Sequence, residues 1–302
     1  MTELEFGGRV AIVTGAGRGI GRAYAKVLAA RGARVVVNDL GGSMQGDGAD
    51  ETPASAVAAE IVADGGEAIA DHGDVSTPAG AAALVAAAVA RFGRVDVLLN
   101  NAGIIRWAAF PEADAENLER HLAVHVGGAF HTARAAWPHM VQQGYGRIVM
   151  TTSSGVFGLP NNLSYATAKA GVIGLARSLA VAGAAHGIKV NLIAPAAITR
   201  MAGMGKDGSA PAGAPPMPPD SVAPMAAFLA HEDCPVSGEI YAAGAGRFAR
   251  IVLAQAEGYV HAAPEPTIED VARNWTAIHD EARSFVPHDT MAWSAFFLSH
   301  LR

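Results

Sequence analysis

The chain has 302 residues, of which 51% are hydrophobic and 17% charged, so it can bury a large core and is not disordered. Lysine and arginine total 22 against 28 aspartates and glutamates, a formal net charge of −6, and no basic run occurs. This balance is unlike that of a nucleic-acid or anionic-membrane binder, and we expect neither partner.

Short β-branched runs alternate with longer Ala-rich segments of helical period over residues 9–241. The predicted strands are residues 9–14, 34–38, 67–70, 95–100, 146–152, 188–193 and 239–241. This alternation is typical of βαβ crossovers. It predicts the α/β class: a doubly wound, Rossmann-type parallel sheet with helices on both faces, formed by residues 1–245.

Two loops and a tail interrupt this pattern. Residues 41–50 are Gly-rich and follow the second strand, and residues 201–219 contain five prolines and four glycines, which predicts a mobile loop. Residues 246–302 are predicted to be a helical C-terminal extension packed on the same domain. Its three helices are expected at 247–257, 268–281 and 291–301, with no strands between them.

The sequence also bears on location. The first eight residues include Glu3 and Glu5 and do not have the basic and apolar regions of a secretory signal. The longest apolar stretch, residues 81–90, is too short to span a bilayer. The single cysteine, Cys234, cannot form an intrachain disulfide, which suits a reducing compartment. We expect a cytoplasmic protein.

A glycine-rich turn, TGAGRGIG at residues 14–21, lies between the first strand and a helix that starts near Ile20. Glycines allow the backbone to approach a pyrophosphate closely, and the helix N-terminus offers free N–H groups. The alternative is an ordinary glycine-rich turn.

Asp39 follows at the end of the second strand, 18 residues beyond Gly21. A carboxylate there can accept hydrogen bonds from the adenosine-ribose hydroxyls and repel a 2′-phosphate, which favours NAD over NADP. The alternative is an aspartate that only caps its own turn. Arg18 opposes the NAD prediction because a guanidinium can bind a 2′-phosphate, but we expect Asp39 to dominate.

Tyr165 and Lys169 are spaced i, i+4 at the start of a long helical pattern. That spacing places both side chains on one helix face, where the ammonium is expected to lower the phenol pKa and make the tyrosine a usable acid/base. Taken alone, such a pair is more often a solvated helix face.

The glycine turn, NNAG at residues 100–103 and YATAK at 165–169, in this order and spacing, resemble the classical short-chain dehydrogenase/reductase family. Further stretches resemble the (3R)-hydroxyacyl-CoA dehydrogenase part of peroxisomal multifunctional enzyme type 2 and its single-domain bacterial relatives. These stretches are residues 21–25, 36–42, 132–137, 145–151 and 274–275.

The resemblance implies an NAD site in which Gly15, Gly19 and Gly21 form the pyrophosphate turn and Asp74 contacts adenine. The other cofactor positions that it implies are Arg18, Ile20, Asp39, Val75, Asn100, Asn101, Ala102, Gly103, Tyr165, Lys169, Pro195, Ile198 and Thr199.

The resemblance also implies catalytic roles. Tyr165 is the expected acid/base, and Lys169 also holds the nicotinamide ribose. The family's substrate-orienting serine falls on Thr152, thirteen residues before the tyrosine, and Ser153 takes over if the preceding loop is one residue shorter. His125 stands where many members have asparagine, and either holds a relay water or is a satisfied helix histidine.

His121 and His125 are also spaced i, i+4, but no third ligand accompanies them, so no metal is expected. Several apolar residues either line a substrate pocket or belong to the core: Trp107, Phe110, Phe157, Leu159 and Met204.

These observations predict an NAD-dependent oxidoreductase that interconverts a secondary alcohol and a ketone, acting on a (3R)-hydroxyacyl-CoA or steroid-type substrate. The alternatives are a hydroxysteroid dehydrogenase, another carbonyl reductase, or a non-catalytic nucleotide-sensing regulator. A homodimer or homotetramer is expected through the long helical patterns at 112–140 and 165–186.

Overall fold

The computed structural model describes residues 3–203, 211–263 and 265–301. Its strands as far as residue 251 are β1 (Val10–Thr14), β2 (Arg34–Asn38), β3 (Glu67–Asp71), β4 (Val97–Asn100), β5 (Gly146–Thr151), β6 (Ile188–Pro195), β7 (Ile240–Gly244) and β8 (Arg247–Ile251). The helices between them are α1 (Gly19–Ala30), α2 (Thr52–Ala63), α3 (Pro78–Phe92), α4 (Ala115–His121), α5 (Gly128–Gln143), α6 (Leu163–Gly183) and α7 (Ala223–Ala230).

Within the described residues these eight strands form one sheet in the order β3-β2-β1-β4-β5-β6-β7-β8. β1 pairs in parallel with β2 on one side, with Val10 opposite Arg34, and with β4 on the other, with Ala11 opposite Val97. The strand order therefore reverses between β1 and β4, which opens a crevice beyond their carboxyl ends where such sheets bind ligands. The predicted doubly wound parallel sheet is confirmed.

Helices cover both faces of this sheet. Ala11, Val13 and Val35 belong to one buried cluster that includes side chains of α1, α2 and α7. Val10 and Ile12, which alternate with them and point to the opposite face, are buried as well. This double burial is why the strands are continuous apolar runs rather than alternating ones.

The prediction for residues 247–257 is wrong. Instead of a helix, β8 follows β7 and joins the sheet beside it. The two-residue turn between them is formed by Ala245 and Gly246, whose φ angles are 50° and 75°. Positive φ at both positions is what a tight hairpin turn requires, so the chain reverses here and pairs with its own preceding strand.

The chain divides into two compact units after Arg250 rather than at the predicted residue 245. In the second unit, β9 (Gln255–Ala256) pairs antiparallel with β10 (Ser284–Phe285). Its helices are α8 (Ile268–Arg273), α9 (Trp275–Ile278) and α10 (Thr290–Phe297), so the predicted tail without strands is also wrong. Packing of the tail on the first unit stays a prediction.

Two other segments bear on the site. In the proline-rich loop, residues 204–210 lie outside the described residues, and the described flanks contain single 3₁₀ turns at Arg200–Ala202 and Pro219–Ser221. The stretch Leu163–His186 is long and apolar enough to cross a membrane by length and composition. Its residues Ala168 and Val172 are buried in the protein, and core helices also meet that criterion.

Candidate active site

A cleft of about 760 Å³ lies at the reversal point of the sheet. The loops that follow β1, β2 and β4 contribute most of its wall. Its lining residues are Gly15, Arg18, Gly19, Ile20, Gly21, Asn38, Asp39, Leu40, Gly42, Ser43, Met44, Gln45, Gly46, Gly73, Asp74, Val75, Ser76, Asn101, Ala102, Gly103, Ile104, Arg120, Val124, Thr199, Arg200 and Met201. Most cofactor positions implied by the sequence are therefore brought together in one place.

The glycine turn needs its glycines for close backbone approach. A Cβ atom on Gly21 would lie 2.1 Å from the carbonyl oxygen of Gly15, and one on Gly15 would lie 2.8 Å from the Cα atom of Ala102. Gly15 and Gly19 also have positive φ angles of 62° and 53°. Because α1 begins at Gly19, its first N–H groups have no partner within the helix and can bind an anion.

Asn101 fixes this turn from the other side of the cleft. Its Nδ2 atom donates to the carbonyl oxygens of Thr14 and Gly15, at 3.0 Å each. Asn100 instead accepts a 2.7 Å hydrogen bond from the Thr132 hydroxyl of α5, so it braces the end of β4 rather than the cleft wall.

Asp39 lies in the cleft wall and holds its own turn as well. Its carboxylate accepts from the Gly17 N–H at 2.8 Å and from the Gly41 N–H at 2.7 Å. The alternative, an aspartate that caps its own turn, is therefore observed, and contact of Asp39 with a ribose stays a prediction. Arg18 lies 3.9 Å from the carboxylate of Asp50, an ion pair at half-exposed side chains.

The segment after β6 differs in detail from the expectation. Among the described residues it contributes Thr199, Arg200 and Met201 to the cleft wall. Pro195 pairs with Ala243 in the sheet, and Ile198 donates from its N–H to Met217, so both support the wall from behind. Arg200 was missed by the sequence reasoning because it matches no motif.

Asp74 and Val75 line the cleft as expected. The Asp74 carboxylate accepts from the N–H of Ser76 at 2.9 Å, which fixes the loop after β3.

Tyr165 and Lys169 lie on one face of α6, with the Lys169 ammonium 5.6 Å from the centre of the phenol ring. The ammonium donates to the carbonyl oxygen of Thr151 at 2.8 Å, and burial lowers the Lys169 pKa to about 7. Burial raises the pKa of Tyr165, and a hydrogen bond with Ser153 opposes that rise. The net direction is therefore opposite to the lowering of the phenol pKa that the spacing predicts, because burial dominates.

The structure corrects the preference for Thr152. Its hydroxyl is buried and donates to the Lys169 carbonyl oxygen at 2.9 Å, so it points into the protein. β5 ends one residue earlier than predicted, at Thr151, and the chain then turns into a short 3₁₀ segment. Ser153 is consequently the hydroxyl beside Tyr165, since a Cβ atom on Gly155 would lie 3.4 Å from Ser153 Oγ and 3.6 Å from the Tyr165 ring.

His125 and His121 form a wall behind the phenol ring. The two imidazoles stack at 5.9 Å between ring centres, and the His125 ring meets Tyr165 edge-on at 5.4 Å. His125 lies in a π-helical segment, Leu122–Gly127, that joins α4 to α5, and such segments are frequent at functional sites. Burial holds the pKa of His125 well below its usual value, so its ring is neutral.

Contacts of the two imidazoles are mostly with the backbone. His121 Nδ1 donates to the Asn117 carbonyl oxygen at 2.7 Å, and its Nε2 accepts from the Arg106 N–H. His125 Nε2 contacts the Ile104 carbonyl oxygen at 2.9 Å, and its buried Nδ1 has no hydrogen-bond partner among the described residues. Within residues 3–203, 211–263 and 265–301, no group of three His, Cys, Asp or Glu side chains could hold a metal ion.

Gly103 connects the cleft to this wall. A Cβ atom there would lie 2.5 Å from Cε1 of His125, so only glycine lets the cleft lining pack against the imidazole. Of the residues considered for a substrate pocket, Trp107, Phe110 and Phe157 are exposed at 57%, 76% and 74%, so they are not core. Leu159 is half-buried beside Gly155, and Met204 lies outside the described residues.

A family model described as short chain dehydrogenase matches residues 9–209. The chain belongs to the short-chain dehydrogenase/reductase family and is an oxidoreductase. It is 43% identical over 273 residues to a short-chain type dehydrogenase/reductase of Mycobacterium tuberculosis, covering 90% of this chain and 94% of that protein. It is 41% identical over 289 residues to peroxisomal multifunctional enzyme type 2 of Mus musculus, covering 95% of this chain and 38% of that enzyme.

Solved structures agree with this assignment. Full-length peroxisomal multifunctional enzyme type 2 from Drosophila melanogaster gives a TM-score of 0.80 at 31% identity, covering 99% of this chain and 50% of that chain. A short chain dehydrogenase from Mycobacterium avium gives a TM-score of 0.77 at 34% identity, covering 92% of this chain and 98% of that chain. The chain thus spans half or less of the multifunctional enzymes and nearly all of the mycobacterial proteins.

Proposed function

We propose that this protein is an NAD-dependent dehydrogenase that interconverts a secondary alcohol and a ketone, with Tyr165 as its acid/base. The observation that carries the proposal is the contact chain from the nucleotide cleft to the phenol. Gly103 of the cleft wall packs on His125, His125 packs edge-on against Tyr165, and Tyr165 and Ser153 both lie next to Gly155.

The cleft fits a nicotinamide dinucleotide. Its glycine turn leaves no room for a side chain at Gly15 or Gly21, and the N-terminus of α1 favours a pyrophosphate. Asp39 and Asp74 are the carboxylates that would hold the adenosine end, and Thr199 lies on the opposite wall. A bound NAD supplies the hydride acceptor.

In the proposed oxidation, the phenolate of Tyr165 takes the proton of the substrate hydroxyl, and the Ser153 hydroxyl donates to the same oxygen as it becomes a carbonyl. When Lys169 is protonated, its positive charge favours the phenolate form of Tyr165. Lys169 would also hold the nicotinamide ribose. The neutral His125 ring keeps the phenol in place and offers its free Nδ1 to the proton path.

For the substrate we propose a (3R)-hydroxyacyl-CoA, with a steroid-type alcohol as the competing candidate. The similarity to peroxisomal multifunctional enzyme type 2 supports an acyl-CoA. A 3-oxoacyl-[acyl-carrier-protein] reductase of Synechocystis, 41% identical over 196 residues, has a name that describes the related reduction of the 3-oxo group of a carrier-bound acyl chain. The exposed rings of Trp107, Phe110 and Phe157 offer an apolar surface to a long chain.

NAD rather than NADP follows from Asp39, because its carboxylate would face a 2′-phosphate at the adenosine ribose. We also propose association into a homodimer or homotetramer in the cytoplasm. Exposed apolar residues on the long helices, Phe130 of α5 and Val181 of α6, support it. Light scattering after size exclusion tests that part.

Initial rates with NAD and NADP on (R)-3-hydroxyacyl-CoAs, 17-hydroxysteroids and simple secondary alcohols test the reaction. We expect NAD-linked turnover that is fastest with the acyl-CoAs. Turnover of steroids alone would replace the substrate, and no turnover on the whole panel despite measurable NAD binding would favour a nucleotide-sensing regulator.

A further inference from the structure

The glycine-rich segment that follows Asp39, residues 41–50, is not explained by the reaction chemistry. Five of its residues, Gly42 to Gly46, line the nucleotide cleft together with the glycine turn. We call residues 41–50 the flap. Its base is closed by a 2.9 Å hydrogen bond from the Asp50 N–H to the Leu40 carbonyl oxygen.

The flap is a built turn. The Ser43 N–H donates to the Asp47 carbonyl oxygen, and the Gly46 N–H donates to the Ser43 carbonyl oxygen. The Ser43 hydroxyl accepts from the N–H groups of Gln45 and Asp47, at 3.2 Å each. These bonds hold the turn in shape from within the segment.

The tip is held from across the cleft at three consecutive carbonyl oxygens. Met44 accepts from the Ile105 N–H at 2.8 Å, Gln45 from Arg106 Nε at 2.8 Å, and Gly46 from Arg120 Nη2 at 2.9 Å. Two of these donors are guanidinium groups, whose hydrogen bonds are stronger than neutral ones.

An ion pair adds to these three hydrogen bonds, which together anchor the tip. Arg106 pairs with the carboxylate of Asp47 at 2.7 Å, and its own side chain is only 22% exposed. The outer nitrogen of Arg106 also reaches Glu116 at 3.4 Å, but that carboxylate is on the solvent side and 74% exposed. Gly46 has no room for a side chain, because a Cβ there would lie 2.8 Å from Ile104.

We propose that the flap holds the dinucleotide in its cleft and that Arg106 and Arg120 are the positioning residues that set nucleotide affinity. This proposal rests on the proposed function. The flap begins two residues after Asp39 and its tip is bound beside Gly103, so it bridges the cleft between its two walls. Ligand that lies between these walls is in contact with the flap, and each anchor that keeps the flap in place lowers the dissociation rate of that ligand.

The test measures NAD binding directly by calorimetry in the full chain. Arg106→Ala and Arg120→Ala are each expected to raise the NAD dissociation constant about tenfold, since each removes a charge-assisted hydrogen bond to the tip. Arg106→Lys keeps the charge but not the planar donor and should fall between wild type and alanine. Glu116→Gln is the matched control, because it removes only the exposed partner of Arg106, and it should bind as wild type does.

Hydrogen exchange of the peptide covering residues 41–50 is the second readout. In Arg106→Ala it should exchange faster than in wild type, and NAD should restore part of the protection. Steady-state kinetics should show the loss mainly in the KM for NAD. Melting curves identify a variant that unfolds, in which case Arg106→Lys carries the comparison.

Unchanged NAD dissociation constants in both alanine variants, with a wild type that binds NAD, would overturn the flap and leave the proposed reaction intact. A wild type that binds neither NAD nor NADP would instead overturn the proposed function and the flap with it.

Discussion

The nucleotide end and the catalytic end of the proposed site are formed by different kinds of atoms. At the nucleotide end, backbone atoms and short turns make the surface, as at Gly15, Gly21 and the Asp39 turn. At the catalytic end, side chains do so, with the half-buried Tyr165 packed against the buried Lys169 and His125. The first kind of site depends on local conformation and the second on tertiary packing, so they should fail in different ways when changed.

The largest effect on NAD affinity is expected at the nucleotide end. Gly21→Ala places a Cβ within 2.1 Å of a backbone oxygen that cannot move aside, so the turn must open. NAD affinity should fall at least about a hundredfold, a loss of roughly 3 kcal/mol. Calorimetry with NAD checks this.

Gly174→Ala is the control for that change, because the space around Gly174 in α6 is open. It should leave NAD binding unchanged and stabilise the helix by up to about 1 kcal/mol. Equal NAD affinity in the two variants would contradict the account of the glycine turn.

A smaller effect is expected from the hydroxyls of Ser153 and Thr152. Ser153→Ala should lower kcat about a hundredfold, the usual loss for one donor to a developing oxyanion, with little change in melting temperature. Thr152→Val should do the reverse, costing about 1–3 kcal/mol of stability because the Lys169 carbonyl oxygen loses its buried donor. Paired kinetics and thermal denaturation separate the two. A reversed pattern would mean that Thr152 faces the substrate.

The pH dependence is the mildest test. Since burial raises the pKa of Tyr165, the phenolate fraction grows about tenfold with each pH unit below that pKa, and kcat for alcohol oxidation should rise with pH. His125 has a depressed pKa and is already neutral, so His125→Asn should keep the same slope between about pH 7 and 10. A profile that loses its slope in that variant would assign the titration to His125.

The sequence predicts well which residues meet in the cleft wall, because its signals there are local. The β1 strand, the glycine turn and Asp39 follow one another within a single βαβ unit, and the sheet brings Asn101 and Asp74 to the same edge. The flap anchors of Arg106 and Arg120 are long-range contacts that no motif encodes.

The catalytic end and the tail are predicted less well, because they depend on where strands end, on burial and on a turn conformation. Thr152 and Ser153 differ by one position, and the end of β5 decides which hydroxyl faces Tyr165. The pKa of Tyr165 depends on burial, which spacing does not show. In the tail, β8 was missed because Ala245 adopts a positive φ that its residue type disfavours, so the hairpin turn carried no signal.

The most direct test of the account compares Tyr165→Phe with wild type, measuring kcat and the NAD dissociation constant on the same preparations. The account predicts that kcat falls by about three orders of magnitude or more while NAD binding changes less than about twofold, because the hydroxyl acts only in the chemical step. Turnover that survives in this variant would contradict it.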